Sequence, residues 1–289
     1  MAANLIIYYV EDDLQMQSSF FQDLPGWLVK DAKLPIHIRY HSKQYFGSYD
    51  IEILGDKIQM VQVPNIECKF EHIKAGLIAH YKKHYKKGKK NILAYAGHSH
   101  FLYSDHFSTK TDIFYNLSGM HAVIFDSCYT SHVNLLLTLI DRTDYVIACE
   151  SASPYLGFLG SSLAYILTSK ASDITQYKRI IDEFIIRNSP IEKKFKTLQY
   201  RTDAVLIDMR LFKYAVSILD TSTLKRHTTC KLEDLPTYVF YDLMCSTTQD
   251  EHELKKRIKK CIIYYRMNEL NRRHYAGLHK KLSGLSISL

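Results

Sequence analysis

Four apolar runs constrain what this chain can fold into: Leu5-Ile6-Ile7-Tyr8-Tyr9-Val10, Asn91-Ile92-Leu93-Ala94-Tyr95-Ala96-Gly97, His121-Ala122-Val123-Ile124-Phe125-Asp126-Ser127 and Tyr145-Val146-Ile147-Ala148-Cys149. Each is of strand length and almost free of charge, so each asks for apolar cover on both faces. Helical patterning lies between them. Phe70 to Tyr85 carries Ile73, Leu77, Ile78 and Tyr81 at amphipathic spacing, and Val133 to Ile140 reads as a second helix. Strands alternating with helices predict an α/β fold, a mostly parallel sheet sandwiched by helices. With 289 residues, 46% of them hydrophobic, the chain has enough apolar material for such a core.

The rest of the chain fills in around this frame. Glu11-Asp12-Asp13 forms an acidic turn placed to cap a helix from Leu14 to Val29. Ile36 to Tyr40 reads as a strand, and Ile51 to Leu54 and Ile58 to Val63 flank Gly55-Asp56-Lys57 as a hairpin. Beyond Gly160 the pattern predicts helices over Ser161 to Thr168, Ile174 to Ile186 and Met209 to Leu219, the last preceded by an apolar run at Ala204 to Ile207. The final third, rich in Tyr, Lys and Arg, predicts a long helix from Glu251 to Leu270, with Tyr238, Tyr241, Tyr264 and Tyr265 on a packed helical face. The expected division is residues 1–226 as the α/β domain and 227–289 as a basic, helical carboxyl-terminal extension.

Charge and cysteine usage narrow the classes. The chain carries 38 Lys plus Arg against 30 Asp plus Glu, a formal net charge of +8. Lys82, Lys83, Lys86, Lys87, Lys89 and Lys90 cluster without an acid, and a second basic stretch runs from Lys255 to Lys281. The first cluster reads as the solvated end of a helix; no nucleic-acid reader motif accompanies either. Cys68, Cys128, Cys149, Cys230, Cys245 and Cys261 are dispersed, without CxxC spacing, and read as reduced thiols. The amino terminus lacks a basic flank, and the longest uncharged stretch, Ser151 to Ser169, holds Pro154, Gly157 and Gly160. The expectation is a soluble, cytoplasmic protein without a membrane span.

Two of the strand-like runs end on residues that can do chemistry. One delivers His98 and the other Cys128. Parallel neighbours would bring both to the carboxyl edge of the sheet, where open α/β folds place their sites. A cysteine attacks as its thiolate, which a nearby imidazole or the amino end of the helix after Cys128 would favour. Backbone N–H groups near His98 and Cys128 are then candidate oxyanion donors. Asp126, at the strand end, reads either as a cap on the next helix or as a charged group beside the nucleophile.

Over about 220 residues the chain resembles the clostripain-like cysteine peptidases, family C11, which share the caspase-type fold. Leu5-Ile6-Ile7-Tyr8-Tyr9-Val10-Glu11-Asp12-Asp13-Leu14 is similar to that family's first strand and acidic turn, Asp126-Ser127-Cys128 to its Asp-Ala-Cys signature, Tyr145 to Ser151 to the strand that follows, and Asp203 to Met209 to a later segment. The resemblance implies an endopeptidase with His98 as general base, Cys128 as nucleophile, and Asp126 in the S1 pocket selecting Arg or Lys in a peptide or protein substrate. The N–H groups of Ser99 and Cys128 would hold the oxyanion. Ser99 stands where the family has glycine, a departure that matters if that position needs a positive φ. Family members cut themselves between histidine and cysteine; Lys110 is the basic residue available there, which points to Lys110-Thr111. Some members use calcium, although no calcium loop can be traced here.

Two other readings stand beside this one. His98, His100, Asp105 and His106 resemble a metallo-hydrolase ligand set, but their spacing is wrong for it, so no metal is expected. The other is a catalytically inactive caspase-like scaffold that holds a protein or nucleic-acid partner through its basic helices.

Overall fold

The structure, a computed structural model, describes residues 2–11, 33–42, 47–104, 111–150, 157–160, 163–195, 202–219, 231–235, 238–243, 252–269, 272 and 284–288. The helix expected from Leu14 to Val29 lies outside the described residues, as do Asp105, His106 and Lys110.

In chain order the strands are β1 (Ala3–Glu11), β2 (Ile36–Ser42), β3 (Ser48–Leu54), β4 (Lys57–Val63), β5 (Lys90–Ala96), β6 (Met120–Asp126), β7 (Thr143–Ala148), β8 (Asp203–Asp208), β9 (Lys231–Leu235), β10 (Tyr238–Asp242), β11 (Ile262–Met267) and β12 (Ser286–Ser288). The helices are α1 (Phe70–His84), α2 (Val133–Leu137), α3 (Leu163–Thr168), α4 (Asp173–Phe195), α5 (Met209–Val216) and α6 (His252–Cys261), with 3-10 turns at Ser99–Leu102 and Phe158–Gly160. A nine-stranded sheet has the order β11-β8-β7-β6-β5-β1-β2-β3-β4. Its centre, β7-β6-β5-β1-β2, is parallel throughout. Antiparallel pairing at both flanks leaves only β3 and β8 running against the other strands of that sheet. The expected mostly parallel sheet is therefore present, with hairpin-like edges.

Each face of the sheet has its own core, because side chains along a strand alternate between faces. Ile6, Tyr8, Leu93, Tyr95, Val123 and Phe125 pack on one side with Ile73, Leu77 and Tyr81 of α1 and Phe212 of α5. Leu5, Ile7, Ile92, Ala94, Ala122 and Ile124 pack on the other with Leu163 of α3 and Ile180, Ile181 and Phe184 of α4. The near-continuous apolar runs are thus the double-sided strands that the composition demanded. Fit is tight at the first strand: a Cβ on Gly76 would overlap the Tyr8 hydroxyl.

The last third corrects the sequence reading. A helix from Glu251 to Leu270 was expected; α6 ends at Cys261 and the chain continues directly as β11, antiparallel to β8. Ile262, Ile263, Tyr264 and Tyr265 are β-branched or aromatic residues that suit a pleated surface, and the open edge of β8 supplies the partner. Tyr264 and Tyr265 accordingly lie on a strand, as do Tyr238 and Tyr241 of β10, and not on a helical face. Segment 227–289 therefore contributes one described helix, a small sheet of order β12-β10-β9, and an edge strand of the main sheet.

The basic cluster is solvated as expected: Lys82, Lys83, Lys86, Lys87 and Lys89 are exposed, and Lys90 pairs with Asp173 at the start of α4. No helix among the described residues is long and apolar enough to cross a membrane.

Candidate active site at the carboxyl edge of the sheet

Register brings the two candidate residues together. β5 and β6 are parallel neighbours with Ala96 opposite Asp126. His98 and Cys128 each lie two residues beyond that pair, so they leave adjacent strands at the same level. The turns that carry them are bonded to each other: the Gly97 N–H donates to the Asp126 carbonyl at 3.3 Å, and the Ser127 hydroxyl donates to the Gly97 carbonyl at 2.6 Å. Gly97 has φ +133°, and a Cβ there would overlap the carbonyl oxygen of Val10 on β1. Only glycine lets the chain pass so close over the end of that strand.

His98 is exposed, and its carbonyl accepts the Tyr95 hydroxyl at 3.0 Å. Its ring stacks on His100, with centroids 5.4 Å apart, and meets Phe101 edge-on at 6.5 Å. Cys128 is half-buried. The residue after it, Tyr129, has φ +53°, a left-handed conformation uncommon outside glycine, so Cys128 sits on a sharp turn. The Thr130 hydroxyl closes that turn by donating to the Ser127 carbonyl at 3.2 Å, and the Ser131 N–H reaches the Cys149 carbonyl just past β7 at 2.9 Å.

The helix after the cysteine differs from the sequence reading. It runs over Val133–Leu137, ends before Ile140, and its amino-terminal N–H at Asn134 is occupied by the imidazole of His132 at 3.2 Å. Burial holds His132 neutral by pushing its pKa down to about 3. The expected support of a thiolate by that helix end is therefore taken up by an internal cap. His132 carries no obvious sequence signal, because Ser, Thr, Asp and Asn are the usual caps.

Asp126 does not cap α2 either. Its carboxylate lies under the Phe158–Gly160 turn, accepting the Leu159 N–H at 3.0 Å and the Phe158 N–H as well. Burial raises its pKa to about 6, against these two N–H groups and the field of Arg187 on α4. A Cβ on Gly157 would overlap the carboxylate, so the chain can cross Asp126 only as glycine. Ser99 begins the 3-10 turn after His98, is buried, and has no positive φ, so serine fits there without backbone strain.

A buried acidic group behind the site was missed by sequence reasoning. Glu150, just past β7, takes the Tyr265 hydroxyl at 2.8 Å and shares a hydrogen bond with Asp242, while its N–H donates to Asp203 at 2.6 Å. Burial first, then the neighbouring Asp242 and Asp203, raise the Glu150 pKa well above the carboxylate range. The cluster ties the end of β7 to β8, β10 and β11. Its members are far apart in sequence, which is why the pattern is invisible there.

The fold is similar to three solved structures. An inactive zymogen C11 protease from Parabacteroides distasonis superposes with a TM-score of 0.67 at 14% identity, covering 100% of this chain and 92% of that one. A secreted C11 cysteine protease from Bacteroides thetaiotaomicron, named iotapain, gives a TM-score of 0.67 at 16% identity, covering 100% and 94%. A secreted C11 cysteine protease from the same organism, in complex with an irreversible peptide inhibitor, gives 0.66 at 11% identity, covering 93% and 86%. No family model and no curated protein matches the sequence. The chain thus has the caspase-like fold of the C11 proteases.

Proposed function

We propose that the chain is a cysteine endopeptidase that cleaves after Arg or Lys through His98 and Cys128. The observation that carries this reading is the parallel register of β5 and β6, which sets both residues at one level on adjacent strands. In the reaction, His98 takes the thiol proton, and the Cys128 sulfur attacks the scissile carbonyl. His98 then protonates the leaving amine, giving a thioester. Water, deprotonated by His98, attacks the thioester and restores the thiol. The backbone N–H groups of Ser99 and Cys128 are assigned to the oxyanion.

Asp126 is assigned to the S1 pocket, where a carboxylate favours a cationic side chain. Its placement under the Phe158–Gly160 turn supports a fixed carboxylate close to Cys128 along the chain. Self-cleavage is assigned to Lys110-Thr111; Thr111 is buried and its hydroxyl donates to the Leu102 carbonyl at 2.6 Å, which anchors the segment just past the proposed cut. Calcium is given no step.

The test is hydrolysis of fluorogenic peptides with Arg, Lys, Asp or Leu before the scissile bond, by wild type and by Cys128→Ala. Cleavage after Arg or Lys that disappears in the variant is expected. A well-folded protein that cleaves none of them, with or without calcium, would instead be an inactive scaffold.

A further inference from the structure

The other end of the sheet holds a group of histidines with no part in this chemistry. His37 and His41 alternate along β2 on the face that meets α1, and His80 and His84 lie one helical turn apart on α1. Their rings form a continuous series: His37 stacks on His84 with centroids 4.1 Å apart, His84 meets His80 at 4.8 Å, and Tyr8 bridges His80 and His41 at 6.2 and 5.2 Å. Glu52, opposite His37 on β3, extends over the end of this series. Its Oε1 lies 3.5 Å from His37 Nδ1 and 3.7 Å from His84 Nδ1.

We propose that His37, Glu52 and His84 form a zinc-binding site that clamps the β2–β3 hairpin to the carboxyl end of α1. Their ligand atoms all lie within 4.8 Å of one another, the one such group of His, Cys, Asp or Glu among the described residues. Ligands placed at about 2.0–2.1 Å around a tetrahedral zinc are about 3.4 Å apart. The 3.5 and 3.7 Å separations are already close to that. Two imidazoles and one carboxylate are a set that zinc accepts, with water as a fourth ligand. Glu52 is about half exposed, which leaves a path for ion and water.

The empty-handed state of the imidazoles points the same way. Nε2 of His37 is buried without a hydrogen-bond partner, as is Nδ1 of His80 beside it, and Nδ1 of His37 faces only Glu52 at 3.5 Å. Buried polar atoms are rarely left so. Two features oppose the ion. Lys83 and Lys86 stand near, although Lys83 is paired with Asp50, and the parallel rings must splay for both nitrogens to face one centre. The one polar contact of the His37 ring is with Glu52, itself a proposed ligand.

The test is calorimetric titration of the full-length, chelator-treated chain with zinc, carried out on a Cys128→Ala background so that the thiol cannot bind the ion. One zinc per chain is expected, together with a rise in melting temperature at saturating zinc. Glu52→Gln should bind at least ~10-fold more weakly, because even losing a group that only supports a ligand costs that much. It changes a half-exposed side chain isosterically and should fold. His37→Ala/His84→Ala should abolish both effects. No binding by the parent, or equal binding and equal thermal shift in Glu52→Gln, would overturn the proposal.

Discussion

His98 and the buried histidines under α1 place the same side chain in opposite surroundings. His98 stands exposed at the carboxyl edge of β5, on a turn made by a glycine that closely overlies β1. His41, His80 and His84 are buried between β2 and α1, where burial brings their pKa values down to about 3, 3 and 4. One position leaves an imidazole open to solvent. The other holds the ring neutral over the pH range in which a free histidine titrates. The difference comes from topology: the carboxyl ends of parallel strands open onto loops, whereas α1 closes over the hairpin side.

The largest contrast is expected from deleting a ring on each side. His98→Ala should lower kcat/KM for an Arg or Lys peptide by roughly 10²- to 10⁴-fold, the range for losing a general base, with little change in thermal melting. Peptide kinetics beside a melting curve would read both; a lost fold would put His98 among the structural histidines. Gly157→Ala should cost less, roughly 10- to 100-fold on Arg and Lys substrates, because its Cβ displaces the Asp126 carboxylate and one charge-assisted contact. Alkylation of Cys128 by a small reagent should be unchanged in that variant, which separates the pocket from the nucleophile.

Smaller effects should follow pH. The ratio of Arg to Leu cleavage should fall as pH drops through about 6, where Asp126 takes a proton, a ratio that cancels the titration of the dyad. A pH-independent ratio would remove Asp126 from the pocket. Stability should respond in the opposite region of the molecule. A histidine whose folded pKa is depressed stays neutral while the unfolded chain takes up a proton, so its contribution is present above pH 6.5 and is lost as pH falls toward about 3–4. The melting temperature should therefore fall by roughly 5–10 °C between pH 7 and 4.5, and His41→Asn should flatten that fall. An unchanged slope would mean that these rings are not held neutral in solution.

What could be read from the sequence follows the same division. β1, β5, β6 and β7 announce themselves because a strand buried on both faces is apolar at every position, and their order set the level of His98 and Cys128. The edges did not announce themselves. Ile262 to Met267 continues the apolar spacing of α6, and its β-branched and aromatic residues become a strand where the edge of β8 supplies a partner. The His132 cap, the Tyr129 turn and the Glu150–Asp242 hydrogen bond depend on backbone angles and on partners distant along the chain. The histidine group shows one local sign, His37 with His41 on a strand and His80 with His84 on a helix, yet nothing in the sequence brings the two pairs together.

The central claim, that register assembles a working dyad, is tested most directly by the rate at which iodoacetamide alkylates Cys128 at neutral pH, in wild type and in His98→Ala. Cys149 and Cys261 are buried, with the Cys261 thiol pushed up to about 12 by burial, so they offer a slow internal reference. The account predicts that Cys128 reacts well ahead of these thiols and that His98→Ala removes the advantage. A Cys128 that reacts no faster than the buried thiols, or equally fast without His98, would contradict it.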